Sequence, residues 1–121
     1  MDDSPKNVLK EKSYAFALRS INLYKHLSLS KKEYVLSKQL LRSGTSIGAN
    51  VAEANQAQSR ADFISKLAIA LKEAVETEYW LNLLRDAKYL SEKEAASILP
   101  DCIELIKLLT AILKTTKRAG S

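Results

Sequence analysis

Three times in this chain a serine stands three residues ahead of an acid: Ser30-Lys31-Lys32-Glu33, Ser59-Arg60-Ala61-Asp62 and Ser91-Glu92-Lys93-Glu94. That spacing marks helix starts. The serine hydroxyl can accept the third helical amide while the acid reaches back to the serine's own N–H. Ser4-Pro5 adds a fourth start, with proline at the first helical position, where a missing N–H costs nothing. The four starts predict helices over about 5–28, 31–57, 60–89 and 92–117, each following the last after a few residues. Links so short make consecutive helices antiparallel neighbours. The expected architecture is therefore a single all-α domain over 1–121, an up-down-up-down four-helix bundle ending in a frayed basic tail, 118–121.

Turn chemistry agrees. The 121 residues include 3 Gly and 2 Pro, about 4% where roughly 12% is usual. A sandwich or an α/β fold needs more turns than five such residues can supply. The longest run without a charge is Ser43 to Ala52, far short of the ~20 apolar residues of a membrane span. The N-terminus opens acidic and has no apolar segment, so no secretory signal is expected. A soluble, cytoplasmic protein is expected, with no membrane partner and no small-molecule substrate. Cys102 is the one cysteine; set among Ile98, Leu99, Ile103 and Leu105, it reads as a buried, inert thiol.

Apolar spacing supplies the core. Leu36, Leu40, Ser43, Ile47, Asn50 and Ala54 recur at steps of four and three, as do Phe63, Leu67, Ala70, Ala74, Thr77, Leu81 and Leu84. Ile98, Cys102, Leu105, Leu109 and Ile112 continue the pattern, and the first helix offers Ala17, Ile21, Tyr24 and Leu27. The fourth helix exceeds one stripe, with eleven hydrophobic residues in the sixteen from Ile98 to Leu113. A second buried face, and hence self-association, is expected. Pro100 should kink this helix or delay its start. In the second helix Ser43, Gly44, Ser46 and Gly48 read as close-packing positions, because each mid-helix glycine costs about 1 kcal/mol relative to alanine. The alternative, a phosphate-cradling loop, lacks the required Gly-Lys-Ser/Thr ending and a preceding strand.

Polar residues on these stripes need partners. Asn50, Glu53, Glu73, Glu76 and Trp80 are expected to pair across helices, since a buried acid is costly when alone. A di-metal carboxylate site requires Glu-x-x-His on two helices, and His26 is the chain's single histidine. No metal, cofactor or catalytic set is expected, and the chain does not read as an enzyme. Net charge is +5, divided as +5 over 1–52, −4 over 53–106 and +4 over 107–121. Between Lys12 and Arg42 the one acid is Glu33, set among Lys12, Arg19, Lys25, Lys31, Lys32, Lys38 and Arg42. Such a surface can bind nucleic-acid phosphates. It can equally be a solvated face that offsets the acidic third helix.

Two blocks carry a family resemblance. The run from Gln39 to Ala54 (QLLRSGTSIGANVAEA) resembles the signature of the four helix bundle proteins, whose members include those encoded in intervening sequences of bacterial 23S rRNA genes. Asp62 to Leu67 and Lys72 to Leu81 form the second block, and the resemblance extends over about residues 10 to 115. It implies a homo-oligomer, typically a pentameric ring or barrel, and an RNA-binding accessory role. The chain is also similar to the accessory variability determinant of diversity-generating retroelements, which implies a reverse transcriptase as a second candidate partner. A protein-interaction scaffold, using the face around Glu73, Glu76 and Trp80, stays open beside the RNA-binding reading.

Overall fold

The computed structural model describes residues 2–119, and among these it is all helix and turn, with no strand. Four helices follow one another: α1 Pro5–Lys25, α2 Leu36–Ala54, α3 Arg60–Asp86 and α4 Glu92–Ala119. Their packing, α1 on α2, α2 on α3, α3 on α4 and α4 back on α1, is compatible with a bundle. One core draws on all four, including Leu9 and Phe16, Leu40 and Ile47, Leu67 and Leu81, and Leu105 and Leu109. Gly120 and Ser121, half of the expected frayed tail, lie outside the described residues, and α4 runs through Arg118 to Ala119.

Three of the four starts are made as their serines suggest. Ser4 Oγ accepts the Asn7 amide at 3.3 Å and Ser59 Oγ accepts that of Asp62 at 3.0 Å. Ser91 forms the complete box: its hydroxyl accepts the Glu94 amide at 3.0 Å, and Glu94 accepts the Ser91 amide at 2.9 Å.

The Ser30 start is corrected. After α1 the chain makes one π-helical turn, His26–Ser30, and Lys32 then adopts a left-handed φ of 58° that no helix can continue through. Glu33 turns forward instead of back. Its carboxylate accepts the amides of Val35 and Leu36, each at 3.2 Å, and that of Ser37 at 2.7 Å. The second helix therefore starts at Leu36 rather than 31 and ends at Ala54 rather than 57. The third stops at Asp86 rather than 89, because Lys88 is also left-handed, with φ 71°.

The core stripe of α1 is displaced from Ala17, Ile21 and Tyr24, which are half-buried, to Leu9, Ser13, Phe16 and Ser20. The reason lies across the interface, where Gly44 and Gly48 bring α2 against Ser20 and Ser13. Small residues on both sides let the two backbones approach, so serines occupy positions that apolar periodicity assigns to larger groups. Asn50 likewise leaves the core to Val51, and its Nδ2 donates to the Ser46 carbonyl of its own helix at 2.9 Å.

The helix α4 starts at Glu92 and continues past Pro100, so proline does not delay its start. Pro100 has no N–H for the Ala96 carbonyl, and in the same turn the Ser97 carbonyl accepts Arg19 Nη1 at 3.1 Å. No large apolar side chain of α4 is among the exposed ones. Leu99 and Ile106 on one flank of the buried stripe, and Leu108 on the other, pack half-buried on the rim of the core. No described helix is long and apolar enough to cross a membrane.

Candidate nucleic-acid interface

The seven basic residues singled out by charge fall into two groups. Three are held by acids on neighbouring helices. Lys12 pairs with Glu104 at 3.1 Å, and Arg19 with Asp101 at 2.6 Å while also donating to the Ser97 hydroxyl at 2.9 Å. Arg42 pairs with Glu73 at 3.0 Å and with Glu76. Trp80 Nε1 donates to Glu76 at 3.2 Å, so the half-buried indole closes a four-residue network between α2 and α3. These cations join helix to helix.

The other four, Lys25, Lys31, Lys32 and Lys38, are exposed and form no ion pair among the described residues. They cluster at one end of the molecule, where α1 gives way through the π-helical turn to α2. Glu33, the acid in their midst, forms no ion pair with them. It is buried against the start of α2, where a carboxylate favours the positive end of the helix. Burial works against its charge, yet the amides of Ser37, Leu36 and Val35, with the Ser37 side chain, outweigh that and hold its pKa below the ordinary value. The α3–α4 connection lies at the same end, since His26 Nε2 is 3.2 Å from Glu94 Oε2. There the Ser91 amide, against some desolvation, holds Glu94 ionised, helped by His26 and Lys31. An open groove of about 420 Å³ runs here between α1 and α4, lined in part by His26, Lys93 and Glu94.

The same end exposes apolar groups that charge patterning missed. Leu29 is 70%, Tyr34 51% and Val35 71% exposed. Their positions gave a usable signal, because each falls between lysines and off every core stripe.

The packing residues sit away from this end, toward the middle of α2 and α3. Thr77 Oγ1 donates to Ser43 Oγ at 2.8 Å, a buried contact between α3 and α2. Ser46 donates to the Arg42 carbonyl of its own helix at 2.6 Å, and Glu53 pairs with Lys66 at 3.2 Å. Cys102 is buried, its Sγ 3.3 Å from the Ala74 carbonyl, and burial with the charge of Glu78 pushes the thiol up to about 12. Among the described residues no three His, Cys, Asp or Glu side chains converge as a metal would require.

Comparison with known proteins adds the following. The model of the family described as 23S rRNA-intervening sequence protein matches residues 6–111. A crystal structure from Bacteroides thetaiotaomicron, of a protein of unknown function from the S23 ribosomal protein family, is similar over 92% of this chain and 99% of that one. The two are 59% identical, with a TM-score of 0.90. Curated proteins gave no match.

Proposed function

Because the chain belongs to the 23S rRNA-intervening sequence protein family, we propose that it is a non-catalytic accessory protein that binds RNA through the lysine-rich end formed by Lys25, Lys31, Lys32 and Lys38. The observation that carries this reading is the sorting of the basic residues. Lys12, Arg19 and Arg42 are tied to acids of neighbouring helices, while these four form no ion pair among the described residues and the carboxylate in their midst is engaged by backbone amides. Exposed lysines release counterions from a phosphate backbone when they bind it. The test is a titration of labelled RNA at low salt. Replacing Lys31 and Lys32 with Glu abolishes most of the binding, and replacing Arg42 with Gln does not. Equal losses in both variants contradict the assignment.

The contacts across the fold support the antiparallel, up-down-up-down arrangement. Glu53 meets Lys66 while Arg42 meets Glu76, and Lys12 meets Glu104 while His26 meets Glu94, so numbering rises on one helix as it falls on the next.

A second reading, a scaffolding homo-oligomer, rests on a different surface. Ile69, Val75 and Tyr79 are exposed along α3, and Tyr14 and Leu18 along α1. The family resemblance favours a pentamer and leaves a reverse transcriptase as a second partner. Self-association is compatible with RNA binding at the lysine-rich end, which leaves those faces free. A cytoplasmic location follows from an RNA partner. Light scattering on the purified protein distinguishes a monomer from the proposed oligomer.

A further inference from the structure

We propose that the lysine-rich end selects unpaired RNA over duplex, with the Tyr34 ring stacking on an exposed base while Lys31, Lys32 and Lys38 hold the flanking phosphates. This rests on the RNA-binding reading above and names the kind of RNA. Three large apolar side chains, Leu29, Tyr34 and Val35, stand in solvent within seven residues, interleaved with lysines on both sides. Phosphate attraction alone has no use for them. An aromatic face set in a basic surface is the combination that single-stranded nucleic acid fits, since every base offers a π-face and the backbone follows the charge. A duplex keeps its bases stacked on one another, and the deep, narrow major groove of A-form RNA admits no side chain.

The ring is also held on fixed backbone. Glu33, next to Tyr34 in the chain, is anchored through the amides of Val35, Leu36 and Ser37, and its own N–H closes on the Leu27 carbonyl at 2.9 Å. Leu27 and Ser28 on one side and Ser37 on the other are buried, so the exposed segment is clamped at both ends. Lys32, left-handed with φ 58°, follows the cap of the π-helical turn and ends it.

The experiment compares fluorescence anisotropy of an oligouridine of about twelve nucleotides, within the range of known single-strand sites, with a hairpin duplex of equal charge at the same salt. The oligouridine binds more tightly. Tyr34→Ala weakens it about ten-fold, near the lower end of what one stacked base contributes, and leaves the duplex unchanged, whereas Tyr34→Phe retains the preference. Tyr34 is exposed and off the core, so the variants fold, and a thermal melt verifies this. Equal affinity for the two RNAs, or an equal effect of Tyr34→Ala on both, overturns the inference while leaving RNA binding intact. No binding of either RNA at low salt overturns both readings. Tyr34-dependent binding to vesicles containing phosphatidylserine, with none to oligouridine, assigns this end to a membrane surface and likewise overturns it.

Discussion

Glu33 Oε1 accepts the backbone amide of Ser37 at 2.7 Å, and Ser37 Oγ donates back to the Glu33 carbonyl at 2.7 Å. With the amides of Val35 and Leu36 on the second carboxylate oxygen, this makes Glu33 the cap of α2. It also removes the one acid of the basic segment from solvent.

Glu33→Ala leaves three amides at a helix start without their acceptor. The expected cost is about 2–3 kcal/mol, in the range for hydrogen bonds to a charged group, read as a lower denaturation midpoint with unchanged slope. Glu33→Gln keeps the shape but halves the acceptors and costs about 1–2 kcal/mol.

The same carboxylate makes stability depend on pH. Glu33 and Glu94 both ionise below the ordinary 4.5 in the folded state. A depressed folded pKa contributes stability that is present above the unfolded value and lost as pH falls through the folded one. Thermal stability should therefore drop below about pH 4.5. Glu33→Gln should flatten that acid limb and leave the neutral range parallel to the parent. An acid limb unchanged by the substitution contradicts the capping role.

Gly44 is a site where one methyl is too many. A Cβ there would lie 2.8 Å from Ser20 Cβ and closer still to Ser20 Oγ, which is buried and bonded to the Phe16 carbonyl. Gly44→Ala gains up to ~1 kcal/mol of helix propensity but overpacks the α1–α2 contact, for an expected net loss of about 1–2 kcal/mol. Adding Ser20→Gly restores the room and should recover part of the loss. Gly48→Ala, whose Cβ would meet the Ser13 carbonyl oxygen at 3.2 Å, should cost less.

Lys88 is a lysine in a position made for glycine. With φ 71° it closes α3 in a Schellman turn, its amide on the Arg85 carbonyl at 3.0 Å and that of Tyr89 on Leu84 at 2.9 Å. Lys88→Gly removes the left-handed penalty and should raise stability by about 0.5–1 kcal/mol. A melt that moves down instead shows the lysine side chain to be contributing there.

The fold was legible wherever a local pattern decides. Ser4, Ser59 and Ser91 announce their helices, and the step of Gly44 to Gly48 announces a close approach. Ser30 carries the same pattern as Ser91, yet its acid turns forward, because Lys32 leaves the helical region and burial of Glu33 against α2 is preferred to a second contact in solvent. The basic face was legible as charge but not as a surface. The partners of Arg42 lie 31 and 34 residues away, and Asp101 and Glu104 meet Arg19 and Lys12 only once α4 has folded back on α1. Apolar excess in α4 overstated what must be covered by a partner, because Leu99, Ile106 and Leu108 are half-covered by the chain's own core.

The most direct test of RNA binding by the lysine-rich end is the salt dependence of affinity for a single-stranded RNA. Each phosphate contact contributes about −0.7 to the slope of log affinity against log salt, so four lysines predict a slope of about −3. Replacing Lys31 and Lys32 with Gln should bring it to about −1.4, while the same change at Lys12, Arg19 or Arg42 leaves it unaltered. Absence of binding at low salt, or a slope indifferent to Lys31 and Lys32, would contradict the account.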